Sequence, residues 1–139
     1  MKRIVLDTNC LLMCLPKISP YRSIWDDFLK GTITLCVSNE IIEEYLEILT
    51  KKTTYEIACN IISVLLSKQN VEFITPYYKL HLIESDEDDN KFVDCAFSAG
   101  ASCIVSNDAH FNILKSISFP HIIVLNISEF LDHLNSALS

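Results

Sequence analysis

"IVLDTN", residues Ile4 to Asn9, decides how the rest of the chain is read. Three strand-forming apolar residues run straight into a carboxylate, Asp7, followed by a hydroxyl and an amide. The arrangement returns in "CIVSND", Cys103 to Asp108. Apolar runs without alternation suit strands covered on both faces, as in a parallel sheet. Strand-length runs at Arg3–Leu6, Ile33–Val37, Val71–Ile74, Ser102–Val105 and Ile122–Leu125 alternate with stretches of helical period. Those stretches are Tyr21–Lys30, Asn39–Thr50, Tyr55–Gln69, Glu87–Ala99, Asp108–Ser116 and Ser128–Leu138. Pro16 limits any helix directly after Asp7 to about two turns. Each parallel connection needs a crossover, so the alternation predicts an α/β fold with about five parallel strands and helices on both faces. In such sheets ligands bind beyond the carboxyl ends of the strands, where the strand order reverses. Asp7 and Asp108 stand just past two such ends.

The chain has 139 residues, and the expectation is a single domain spanning 1–139. Half the residues are hydrophobic and only two are glycine, which excludes disordered and fibrous classes. No window offers the roughly 18 uncharged apolar residues of a membrane span. The first apolar run stops at Asp7, far short of a secretory signal core, so a cytoplasmic protein without membrane association is expected. Six cysteines lie in or beside apolar stretches, none in a CxxC pair and none at zinc-like spacing to the four histidines. They are expected to be reduced and structural. With 11 basic and 18 acidic residues the net charge is −7, the wrong sign for a partner carrying phosphates. Either the protein is simply acidic, or some carboxylates gather around bound cations.

Four acidic positions carry that question. Asp7 would serve as a helix N-cap, but the residues after it include better caps. In "SNEIIEEYLEIL", Ser38 is a natural N-cap, and Ile41, Ile42, Tyr45, Leu46 and Leu49 form a buried stripe. Glu40, Glu43, Glu44 and Glu47 make an acidic ridge beside it, and Glu44, flanked by Ile41, Tyr45 and Ile48, is best placed to lean toward the sheet. The densest cluster is "ESDEDDNKFVDCAFSAG", where Phe92, Ala96 and Ala99 define the core face of a helix. Asp89 lies about 50° from the middle of that face, while Asp94 lies nearly opposite and is expected in solvent. Asp108 closes the set. Apart from Lys91 beside Asp89, no lysine or arginine lies within two residues of these acids. Clustered carboxylates without a nearby cation suit a hard divalent ion, Mg²⁺ or Mn²⁺.

The order VLDTN, SNEIIEE with Tyr45, DNKFVDCA and IVSND followed by His-Phe resembles the PIN-domain nucleases, and within them the VapC-like toxins of toxin–antitoxin pairs. The resemblance runs from about Lys2 to Leu125. It implies a three-layer α/β/α sandwich in which Asp7, Glu44, Asp89 and Asp108 hold one or two Mg²⁺ or Mn²⁺ ions. Thr8, Asn9 and Ser106 fall where the family places supporting hydroxyls and amides, and Asp94 could join through water. The implied activity is hydrolysis of RNA phosphodiester bonds by metal-activated water, leaving 5′-phosphate and 3′-hydroxyl ends. The implied partners are an RNA substrate, a cognate antitoxin and a second copy in a homodimer. Ser106-Asn107-Asp108 departs mildly from the family's usual threonine-x-aspartate. Lys17, Arg22, Lys51, Lys52, Lys79 and Lys115 are left to steer an RNA backbone.

Two other readings stay open. A PIN fold that binds RNA or protein without cleaving would suit the acidic balance. An unrelated small α/β protein is the third, although a phosphoacceptor domain would want two adjacent early acids and a lysine near the last strand. A nucleotide-binding glycine loop fails, since Gly31 and Gly100 are the only glycines.

Overall fold

A computed structural model describes residues 2–137. The elements are β1 (Lys2–Leu6), α1 (Thr8–Cys14), α2 (Arg22–Lys30), β2 (Ile33–Val37), α3 (Asn39–Lys52), α4 (Tyr55–Ser67), β3 (Val71–Phe73), α5 (Asn90–Ala99), β4 (Cys103–Val105), β5 (Val124–Leu125) and α6 (Ile127–Ala137). Two 3-10 segments, Glu87–Asp89 and Ala109–Ser116, precede α5 and follow β4. They stand where the helical period predicts α-helix over Glu87–Ala99 and Asp108–Ser116. In each, an aspartate side chain caps the entry, Asp86 taking the N–H of Asp88 and Asp108 that of His110. Such local bonds compete with the α-helical ladder. The residue Leu138 of the expected last helix lies outside the described residues.

The five strands form one parallel sheet in the order β3-β2-β1-β4-β5. Ile4, Val5 and Leu6 of β1 and all of β4 are buried, as central strands covered on both faces should be. The edge strands β3 and β5 are less buried. The predicted α/β/α sandwich is the architecture found. Helix α5 packs against β1, β2 and β4, and α3 against α1, α4 and α5. Both glycines sit at helix C-caps with left-handed φ, Gly31 after α2 and Gly100 after α5, where a side chain would be strained. All six cysteines are free thiols; burial pushes those of Cys10, Cys14 and Cys95 up to about 12. No helix among the described residues is long and apolar enough to cross a membrane.

Connections from β1 lead outward to β2 and β3, and the chain then returns to place β4 on the other side of β1. The strand order therefore reverses between β1 and β4. The crevice beyond their carboxyl ends is where a ligand is expected.

Candidate metal centre

Asp7 leaves β1 into that crevice. It stands at the N-cap position of α1, yet its side chain makes no capping bond. The carboxylate instead accepts the Ser106 hydroxyl from the end of β4 at 2.8 Å. Ser106 in turn accepts the Asp108 N–H at 3.0 Å, which ties the two strand ends together. Asp7 and Ser106 are both buried. Burial pushes the Asp7 carboxyl up; the Ser106 hydroxyl and the Thr8 N–H pull it back, and the charges of Glu44 and Asp108 raise it further.

Glu44 comes in from α3. It is the half-buried member of its ridge, while Glu40, Glu43 and Glu47 are exposed. The stripe beneath explains the lean: Ile41, Tyr45 and Leu49 are fully buried, and the Tyr45 hydroxyl donates to the Leu6 carbonyl beside Asp7. The Thr8 hydroxyl donates to one Glu44 oxygen. The other lies 2.8 Å from the Lys91 ammonium, which also reaches Asp88 at 3.0 Å. Burial disfavours the charge on Lys91, but the hydrogen bonds and charges of Glu44 and Asp88 outweigh it and raise its pKa.

Asp89, on the turn entering α5, completes the approach. Burial pushes its carboxyl up to about 6, a His110 hydrogen bond opposes this, and the charges of Asp86, Asp108 and Asp7 add to it. His110 Nδ1 lies 3.3 Å from both Asp89 and Asp108 and 3.6 Å from Asp86. The fold thus brings Asp7, Glu44, Asp89 and Asp108 into one field of mutual repulsion. It adds two residues that sequence reasoning left aside, Lys91 and His110. His110 follows Asp108 by two positions, so its nearness to that acid was legible; its reach to Asp89 across the crevice was not.

One expectation is corrected. Asp94 is buried, not in solvent: the loop after β3 crosses that side of α5, and Asp94 accepts the Leu80 N–H at 3.0 Å. One turn earlier Asn90 clamps the same loop through the N–H and carbonyl of Ile83, both at 2.9 Å. The charges Asp94 meets are His81, Glu40 and Lys79. Lys91, two residues after Asp89 in the sequence, pairs with Glu44 and Asp88. Asn9 lies on the exposed side of α1. Of the six basic residues considered for an RNA backbone, Arg22 is paired with Asp26 and Lys51 with Glu47. Lys79 lines a cleft of about 190 Å³ beside Asp88, Lys91 and Asp94.

Asp86, Asp89 and His110 bring ligand atoms within 4.8 Å of one another, Asp7 and Asp108 add their charge to this group, and burial pushes the Cys10 thiol up to about 12. Carboxylate oxygens with one imidazole nitrogen suit a hard or borderline divalent ion and offer no thiolate to a soft one. A family profile described as PIN domain matches residues 3–110. The chain belongs to the PIN-domain family. No curated protein sequence matches this PIN domain. Its fold is similar to VapBC2 from Rickettsia felis bound to a promoter DNA fragment, with TM-score 0.62 and 18% identity over 89% of this chain and 98% of that one. DNA-bound VapBC from Salmonella typhimurium gives 0.57 and 17%, over 91% and 99% of the two chains. VapBC-1 from nontypeable Haemophilus influenzae gives 0.60 and 15%, over 91% and 98%.

Proposed function

We propose that this PIN domain is a divalent-metal-dependent endoribonuclease, the toxin of a toxin–antitoxin pair, acting as a single domain over residues 1–139. The observation that carries the proposal is the acidic cluster beyond β1 and β4, where Asp86, Asp89 and His110 bring ligand atoms within 4.8 Å of one another and Asp7, Asp89 and Asp108 repel one another. Carboxylates held together at this cost call for a cation, and Mg²⁺ or Mn²⁺ suits oxygen donors. When bound, such an ion supplies Lewis-acid activation of water and compensates the charge of the scissile phosphate.

The chain's own residues do the rest. Ser106 orients the Asp7 carboxylate and anchors the Asp108 backbone. Thr8 and Lys91 fix Glu44. No nucleophilic side chain is needed, which agrees with the inert buried thiols. Lys79, on the neighbouring cleft, is placed to meet a phosphate of the RNA strand. An antitoxin partner is proposed because the solved structures of similar fold are VapBC complexes. A homodimer and a cytoplasmic location rest on the family resemblance.

One observation favours a second reading, a PIN fold that binds without cleaving. Both Glu44 oxygens already have internal donors, and the chain is acidic overall. An assay on single-stranded and structured RNA decides between them, run with EDTA, with Mg²⁺ or Mn²⁺ restored, and with Asp7→Asn. Metal-restored cleavage that the variant loses is expected. Cleavage persisting in chelator or in the variant defeats the metal mechanism, and no cleavage under any condition favours the binding module.

A further inference from the structure

Lys91 is an unusual residue to find against a cation site. Its side chain is only one-tenth exposed, with Nζ held 2.8 Å from Glu44 and 3.0 Å from Asp88 and resting 5.9 Å from the centre of the Phe92 ring. A lysine this enclosed has surrendered most of its hydration, which only fixed negative partners make tolerable. Glu44 is enclosed too, at 20% side-chain exposure, and its second oxygen is taken by Thr8.

We infer that Lys91 stands in the place of a second cation, so that the centre takes one divalent ion per chain. The inference rests on the metal centre proposed above and concerns how that centre is filled. The four acids divide into two groups. Asp7, Asp89 and Asp108 repel one another, Glu44 adds its charge to Asp7, and among the described residues the three aspartates have only Ser106 and the half-exposed His110 as donors from side chains. Glu44 has its own ammonium. An ion bound among the three aspartates meets uncompensated charge. A second ion bound through Glu44 would share a carboxylate with Lys91 where little water screens the repulsion. Displacing Lys91 would leave it only Asp88, which is mostly exposed.

Counting ions tests this without reference to catalysis. Full-length wild type, Lys91→Met, Lys91→Gln and Lys91→Arg are stripped with EDTA and dialysed, and folding is checked by circular dichroism. Mn²⁺ is then titrated, with free ion followed by electron paramagnetic resonance and total binding by calorimetry. Wild type and K91R are expected to take one Mn²⁺ per chain, and K91M and K91Q two. K91Q serves should K91M fail to fold, and the wild-type count alone is decisive if it is two. Two ions on the wild type overturn the inference and leave the metal centre standing. A count that stays at one in the folded neutral variants also overturns it. Absence of Mn²⁺ binding in every form overturns the metal centre, and the inference with it.

Discussion

Replacing Asp89 by asparagine is expected to stabilise the protein without metal and destabilise it with metal. The Asp89 carboxyl is raised from 3.8 to about 6, first by burial and then by Asp86, Asp108 and Asp7, against the opposing His110 bond. Its folded-state pKa lies above its unfolded value, so the charged form costs stability. That cost is absent below the unfolded pKa, grows as pH rises from about 4 to about 6, and is complete above 6. A shift of about two units corresponds to about 3 kcal/mol. The acids that add to the rise are themselves partly in water, Asp86 at 41% and Asp108 at 34% side-chain exposure, and solvent screening reduces this to about 1–2 kcal/mol. Asparagine keeps an oxygen for His110 and removes the charge. In EDTA at pH 7.5 the variant should melt roughly 2–8 °C above the wild type by circular dichroism. At pH 4 the two curves should approach each other. With Mn²⁺ at about one hundred times its dissociation constant, the wild type gains about 2.7 kcal/mol by binding to the folded state alone. The variant should gain much less, so the order of the midpoints reverses. A variant that melts below the wild type in EDTA at pH 7.5, or a gap of equal size at pH 4, refutes the claim that these carboxylates strain one another.

Other substitutions separate scaffold from centre. Ser106→Ala removes the donor to buried Asp7 and the anchor of the Asp108 backbone, and should cost about 1.5–3 kcal/mol in urea unfolding while weakening Mn²⁺ binding. Tyr45→Phe leaves the Leu6 carbonyl without its buried donor and should cost about 1–3 kcal/mol by the same measurement. Asp94→Asn keeps an acceptor for the Leu80 N–H and should change stability little, whereas Asp94→Ala orphans that N–H at a cost of about 1–3 kcal/mol. Neither Asp94 variant should alter Mn²⁺ affinity in calorimetry; a marked loss in Asp94→Asn would place that carboxylate in the centre after all.

The proposed RNA substrate would be a polyanion that a chain of net charge −7 has to meet. Two of the six basic residues considered for that task spend their charge on neighbouring acids. Lys79 has a better claim, because it lines a cleft with Asp88 and Lys91, the partner of Glu44. A substrate phosphate there would meet Lys79, while Lys91 stays paired with Glu44 and Asp88. Steep loss of RNA binding with salt would accompany that arrangement, with the slope reduced in Lys79→Gln.

Local order carried most of the fold. Unbroken apolar runs such as Ile4–Leu6 and Cys103–Val105 belong to strands buried on both faces, and that pattern needs no knowledge of distant residues. Strand ends, the Ser38 cap and the buried stripe of α3 were legible for the same reason, as were Asp7 and Asp108 beyond their strands. Helical phase failed at Asp94. It ranks faces by their own residues and cannot show that an irregular loop, held by Asn90 and Asp94, crosses the polar side of α5. Sequence neighbourhood likewise does not show that Lys91 reaches Glu44 on another helix. Which charges meet is set by packing between elements far apart in the chain, and only the folded structure decides it.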